Sequence, residues 1–396
     1  MQVPERFSNL PEYAFPRLRS LLADHSPGGA EIAMSIGEPR HTPPEFVGDI
    51  LARRVQDFAR YPPNDGAVGL LQAISDWIFR RYAVKKDPLT EIMALNGTRE
   101  GLFNAAIALC PERKNGRVPN VLMPNPFYQV YAVAAMAVQA NPVFLPATEA
   151  TGFLPDLDAI PRETLDQTAI FYLCSPSNPQ GATAGSDYWK TLIGLAEKHD
   201  FRIFADECYS EIYRETPPEG ALEVAGTIAA DPERVLAFHS LSKRSNLPGL
   251  RSGFVAGGPQ AITELKRLRA YAGAPLPLPL QHVAEAAWAD EPHVSASRAL
   301  YQEKYSIADA TFAGLSGYSP PNAGFFLWLP VDDGETAAIR LWERAGVKVL
   351  PGAYLSREVD GLNPGAGYIR VALVAEKQEM QRGLCAIRDC ICGEGQ

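Results

Sequence analysis

Lys243 stands apart among the ten lysines of the chain. Most of the others lie in contexts such as Lys85-Lys86-Asp87 or Glu197-Lys198-His199, which read as solvated helix faces or turns. Lys243 instead follows the apolar run 234–238 in His239-Ser240-Leu241-Ser242-Lys243. That is the carboxyl end of a strand, where α/β folds place their ligand sites. Hydroxyl side chains surround it, and positive charge on Arg244 and Arg251 together with partial burial would favour its neutral amine. A neutral amine forms a Schiff base with an aldehyde. An ordinary loop lysine is the competing interpretation.

Three further pieces end other strands. The run 201–205 closes in Asp206-Glu207, and a buried carboxylate at Asp206 needs a cation, for which a protonated pyridine nitrogen would serve; an N-cap is the alternative. Leu95-Asn96-Gly97-Thr98-Arg99 turns through a glycine into a helix whose free N–H groups could hold a phosphate, although a plain capped helix has the same sequence. Asn178, in Ser175-Pro176-Ser177-Asn178-Pro179-Gln180-Gly181, has its backbone restrained by prolines and could offer its amide to a ligand oxygen. A Schiff-base lysine, a carboxylate, a phosphate cradle and an amide that recognises a hydroxyl together match pyridoxal 5'-phosphate. The patterns G-x-G-x-x-G, the P-loop, H-E-x-x-H and G-x-S-x-G are all missing, and six scattered histidines do not suggest a metal site.

The elements that must position these residues alternate from about residue 90 between short apolar runs and amphipathic stretches, as in an α/β domain around a mostly parallel sheet. Seven strands are expected at 91–95, 120–124, 142–146, 169–173, 201–205, 234–238 and 252–257, and helices at 100–110, 128–139, 186–199, 261–271 and 293–313. Past Pro320-Pro321 a smaller α/β unit is expected, with strands at 325–330, 347–350 and 368–373, a helix at 335–345 and a closing helix from 376. The proline-rich 274–279 reads as a stiff joint. The expected organisation is an N-terminal segment (1–47) joining the small domain, a large domain (48–290) and a small C-terminal domain (291–396).

Across 396 residues, 46% hydrophobic and 21% charged content excludes a disordered chain, and a net charge of −9 argues against nucleic acid or anionic membrane held by net charge. Six cysteines without paired spacing suggest reduced thiols and a cytoplasmic protein. Cys390-Ile391-Cys392 is a weak candidate metal pair with no histidine nearby. The N-terminus lacks the basic start and apolar core of a signal peptide, and no stretch is apolar enough to span a bilayer. In a cytoplasmic chain the sequon Asn96-Gly97-Thr98 needs a reason other than glycosylation.

The order and spacing of these motifs resemble the class I/II aminotransferases of the aspartate aminotransferase-like fold, over nearly the whole chain. The most specific part is Ser240-Leu241-Ser242-Lys243 followed eight residues later by Arg251. The resemblance implies a fold-type I transferase that uses pyridoxal 5'-phosphate and works as a homodimer with shared active sites. Lys243 would carry the cofactor and then move the proton. Asp206 would pair with the ring nitrogen, Asn178 and Tyr209 would bond the phenolic oxygen, and Tyr128 would stack on the ring. Gly97, Thr98, Arg99, Ser240 and Arg251 would surround the phosphate, joined by Tyr61 from the neighbouring subunit. Arg370, helped by the Gly37 backbone, would grip the substrate α-carboxylate as a bidentate fork. Ile369 and Val371 should point away from it by strand alternation.

Within the family, Leu10-Pro11-Glu12-Tyr13-Ala14-Phe15-Pro16-Arg17-Leu18, Ile36-Gly37-Glu38-Pro39-Arg40-His41 and 243–253 are most similar to the succinyldiaminopimelate aminotransferases of bacterial lysine biosynthesis. The implied reaction moves an amino group between N-succinyl-LL-2,6-diaminopimelate and 2-oxoglutarate. A second cation is then expected for the succinyl carboxylate, with Arg40, Arg99 and Arg244 as candidates. Competing expectations are an aminotransferase for aspartate, alanine or an aromatic amino acid, a carbon–sulfur lyase on the same fold, and a cofactor-binding regulatory domain. The last of these normally follows a basic DNA-binding segment, and the first forty residues are acidic to neutral.

Overall fold

The computed structural model describes residues 5–8, 10 and 12–392, without the side chains of Arg6 and Cys392. Pro11 of the N-terminal motif and the Cys392 thiol of the candidate pair therefore lie outside what is described. Seven strands form the main sheet in the order Ile92–Leu95, Gly253–Ala256, Val235–Ser240, Arg202–Asp206, Thr168–Cys174, Asn120–Asn125, Asn141–Pro146. All neighbours are parallel except those of Gly253–Ala256, which runs against both its partners. Helices cover both faces, so the central strands read as continuous apolar runs.

Strand alternation sorts each run between two cores. Phe171, Leu173, Ile203 and Ala205 pack with the helices Val68–Tyr82, Ser186–His199 and Leu278–Ala289. Ile170, Tyr172, Phe204 and Phe238 pack with Thr98–Leu109, Gln129–Ala137 and Pro259–Arg269. Asp206 has the parity of Phe204, so its carboxylate emerges on the second side.

A separate three-stranded antiparallel sheet places Tyr368–Ala372 between Leu350–Pro351 and Phe326–Pro330. Ile32–Ala33 pairs in parallel with Val347–Lys348, which ties the N-terminal segment to this smaller unit. Ile32 and Met34 share its core with Tyr301, Leu327 and Val371.

Three expectations need correction. The single strand at 347–350 is two short strands, Val347–Lys348 and Leu350–Pro351, each paired with a different sheet. The proline-rich joint gives way at Leu278 to a buried helix, where Pro279 is tolerated in the first turn because its missing N–H would have no partner there. The helices Ala14–Leu22, Phe46–Arg54 and Val68–Tyr82 add to the expected elements, and their apolar residues do repeat at helical spacing, as Ala14, Leu18 and Leu22 of the first show by being buried together. The sequon also has its structural reason: Asn96 Nδ2 donates to the Ala274 carbonyl and tethers the joint to the sheet edge. Among the described residues no helix is long and apolar enough to cross a membrane, and no cluster of His, Cys, Asp and Glu could hold a metal ion.

Candidate active site

A cavity of about 510 Å³ lies between the carboxyl edge of the large sheet and the smaller unit. It is lined by Gly37, Thr98, Arg99, Tyr128, Asn178, Asp206, Tyr209, Ser240, Lys243, Arg251 and Arg370. Of the expected site residues, Gly97 sits directly behind this lining, and Tyr61 is elsewhere.

Ser240 ends its strand and caps the short helix Leu241–Arg244, its Oγ accepting from the Ser242 N–H at 3.1 Å. The turn swings Lys243 into the cavity, where Nζ donates to the Gly37 carbonyl and stands 5.1 Å from the Phe325 ring centroid. Burial pulls the Lys243 pKa down to about 8, and the charges of Arg370 and Arg251 push the same way against Cys208 and Glu38. A minor but usable share of neutral amine is therefore present near neutral pH, far more than an ordinary lysine offers. Arg244 takes no part in this. It is buried against Trp77 and Trp288, donating to the Ala287 carbonyl and Glu291, and it does not line the cavity. The second positive neighbour of Lys243 is Arg370, brought across from the other sheet.

The phosphate cradle takes shape where the strand Ile92–Leu95 ends. Gly97 is the N-cap of Thr98–Leu109 with φ of 84°, and a Cβ there would collide with Arg251 Nη2. Only glycine lets the two approach so closely while keeping that backbone angle. Arg251, itself left-handed with φ of 56°, is held by the Pro248 and Asn96 carbonyls. A helix N-terminus and a guanidinium thus converge where a dianion would sit.

Asp206 is 4% exposed, and burial holds its pKa above the usual carboxylate range. It forms no ion pair among the described residues. Tyr209 is buried beside Lys243, its ring centroid 6.0 Å from Nζ. The Asn178 side-chain oxygen accepts from Arg370 Nη1 at 2.8 Å, which leaves its NH₂ as the end free for a ligand oxygen. Tyr128 accepts from Arg99 Nε at 2.9 Å, and Arg99 is exposed at the cavity's rim.

Arg370 is 4% exposed on the central strand of the smaller sheet, while Ile369 and Val371 are buried in the core on the opposite face, as alternation requires. Its Nη2 donates to the Ser35 carbonyl at 2.8 Å, and its guanidinium lies 4.2 Å from the Phe326 ring centroid. Nε is buried without a partner. Burial lowers the pKa to about 10, so the group stays charged at neutral pH. Among the described residues no carboxylate forms an ion pair with it.

These residues fit pyridoxal 5'-phosphate. The buried carboxylate awaits a cation, the glycine–arginine cradle suits a phosphate, and a lysine with a lowered pKa lies between them. Sequence reasoning missed Tyr13, Glu38, Cys208 and Phe326, which also line the cavity, and Tyr131, which bonds Asp206. Tyr131 was within reach, since it lies one helical turn beyond Tyr128. Phe326 gave no signal, because only the fold carries its strand to the site.

The sheet, the cradle and the lysine define a fold-type I, pyridoxal-phosphate-dependent transferase. More narrowly, the chain belongs to the family "Aminotransferase class I and II", whose model matches residues 30–387. It is 31% identical to an LL-diaminopimelate aminotransferase of Dehalococcoides mccartyi, over 98% of each chain. The solved aminotransferase of Neisseria meningitidis matches with a TM-score of 0.93 at 36% identity, covering 98% of this chain and all of that one. A probable N-succinyldiaminopimelate aminotransferase of Thermus thermophilus matches with a TM-score of 0.81 at 27% identity, covering 95% of this chain and 98% of that one.

Proposed function

We propose that the chain transaminates a diaminopimelate-type substrate against 2-oxoglutarate, with N-succinyl-LL-2,6-diaminopimelate as the first candidate. The observation that carries the aminotransferase reading is Arg370, a buried guanidinium facing the Lys243 amine and without a carboxylate partner among the described residues. An arginine fork placed there would orient an α-carboxylate so that the α-carbon lies over Lys243. When bound, the cofactor supplies the aldehyde that takes the amino group and the ring that stores electrons. Lys243 Nζ would be the base that takes the α-proton and the acid that returns it in a 1,3-proton shift. Asp206 would hold the ring nitrogen's proton. Tyr209 and the Asn178 NH₂ would hold the phenolic oxygen, and Tyr128 would cover the ring.

The substrate branch rests on the motifs around Gly37 and Lys243 and on the Thermus relative. Unsuccinylated LL-diaminopimelate is the second reading. The name of the Dehalococcoides relative favours it, and so does Glu38, a carboxylate lining the same cavity that could receive a free distal ammonium. Of the three arginines considered for a distal carboxylate, Arg244 is buried elsewhere and Arg40 faces Glu379 at 3.8 Å outside the cavity lining. Arg99 remains. Arg99→Ala is expected to lower kcat/KM for the succinylated compound by about 10- to 100-fold more than for alanine, the worth of a hydrogen bond to a charged group, while any loss through its bond to Tyr128 falls on both substrates alike. Measuring kcat/KM for succinylated and free diaminopimelate, glutamate and alanine decides between the readings. If the free compound is the better substrate of the unaltered enzyme, the second stands; if neither exceeds alanine, both fall.

The homodimer belongs to the same proposal. Tyr61 is fully exposed and absent from the cavity lining of its own chain, as a residue donated to a partner's phosphate site would be. Lys243→Ala and Tyr61→Ala subunits, each weak or inactive alone, are expected to regain activity when mixed, because each mixed dimer rebuilds one intact site. A fully active monomer in sedimentation would refute shared sites. We also propose division near residues 47 and 290, supported by the pairing of Ile32–Ala33 with Val347–Lys348, and a cytoplasmic setting, supported by the five free cysteines described.

A further inference from the structure

Asp206 arrives at the cavity with one carboxylate oxygen already engaged. Its Oδ2 accepts from the Tyr131 hydroxyl at 2.6 Å, Oδ1 receives a long bond of 3.4 Å from the Cys208 N–H, and the Cys208 thiol adds a side-chain hydrogen bond to the carboxylate. Tyr131 is fully buried and stacks on Tyr172 at 4.5 Å between centroids and 10° between planes. Tyr172 is anchored in turn, donating to the Leu102 carbonyl at 2.8 Å inside the helix that opens the phosphate cradle. Tyr128 meets Tyr131 edge-on at 5.7 Å. One helix, Gln129–Ala137, with its N-cap Tyr128, therefore presents both the aromatic facing the cavity and the phenol on the carboxylate.

Burial raises the Tyr131 pKa well above its ordinary value, so it remains a donor at every working pH. A donor fixed on a carboxylate favours the ionised form. That opposes the burial which otherwise drives Asp206 toward protonation.

We propose that Tyr131 is a positioning residue acting through Asp206: its hydroxyl holds Oδ2 so that the carboxylate stays ionised and turns its remaining lone pairs to the protonated ring nitrogen of the cofactor. The proposal rests on the pairing of Asp206 with that nitrogen. Without the phenol the carboxylate becomes more basic and draws the ring proton to itself.

The test compares binding of pyridoxal 5'-phosphate with binding of its 1-deaza analogue, in which C–H replaces the ring nitrogen. Cofactor-free wild type, Tyr131→Phe, Asp206→Asn and the double variant are titrated, and dissociation constants are read from the cofactor's absorbance. Phenylalanine keeps the stack on Tyr172, so the fold is preserved. Tyr131→Phe is expected to weaken pyridoxal phosphate by about 10-fold and the analogue by less than twofold, and to add little in the Asp206→Asn background. Steady-state kcat should fall with KM held. Equal weakening of both ligands would reduce Tyr131 to packing and overturn the proposal, as would no weakening of either. If Asp206→Asn itself fails to distinguish the two ligands, the ring-nitrogen pairing is wrong and the role of Tyr131 falls with it. That outcome is separable from a failure at Tyr131 alone.

Discussion

Lys243→Ala is expected to abolish transamination, because in the proposed function it removes both the attachment point of the cofactor and the base that moves the α-proton. The base alone is worth about 10²- to 10⁴-fold. Borohydride reduction of the loaded wild-type protein, followed by peptide mapping, should place the pyridoxyl group on Lys243. Label on any other lysine sinks the assignment. The pH dependence has a definite sign. The Lys243 pKa of about 8 lies below its ordinary 10.5, so the fold disfavours the ammonium. Cofactor capture, which needs the free amine, should slow about tenfold per pH unit below pH 8, a Henderson–Hasselbalch slope. The same linkage acts on stability. Below pH 8 the cofactor-free fold bears the full cost of burying the charge, and it should gain stability as pH rises from 8 to 10.5. Lys243→Met should therefore melt higher than wild type at pH 7, with the difference shrinking through that window.

The second large effect is expected at Arg370. Arg370→Ala should weaken every amino and oxo acid substrate alike by about 2–5 kcal/mol, the cost of truncating one partner of a desolvated charge pair. Arg370→Lys should recover little, since an ammonium cannot reproduce the planar fork. Asn178 and the Ser35 carbonyl would also lose their donor. Measuring kcat/KM for glutamate, alanine and diaminopimelate compounds separates this uniform loss from the selective loss expected at Arg99. A variant that discriminates among substrates would move Arg370 out of the α-carboxylate site. Its charge also helps hold the Lys243 pKa down, so the alkaline shift of the Lys243 titration in Arg370→Ala is an independent readout.

The site was legible in the chain where chemistry is local. Lys243, Asp206, Asn178 and the Gly97–Thr98 turn each follow an apolar run directly, and parallel strands deliver their carboxyl ends to one edge. Strand alternation was enough to orient Arg370. The short helix that aims Lys243 was hidden, because four residues carry no periodicity. Arg244 misled for a related reason. Adjacent positions on a helix face different ways, so the residue next to Lys243 turns into the tryptophans while Lys243 enters the cavity.

By itself the sequence determined the alternating α/β order, both faces of each buried strand and the residue types able to hold pyridoxal phosphate. Each of these follows from apolar periodicity or from a side chain's own chemistry. Only the tertiary structure decided which charges act on which groups. Arg370 comes across from a second sheet to depress the Lys243 pKa, Tyr131 reaches Asp206 from a helix on the sheet's far flank, and Arg251 approaches Gly97 from 154 residues away. Electrostatic coupling depends on distance in space and on burial, and neither is written in the separation of residues along the chain.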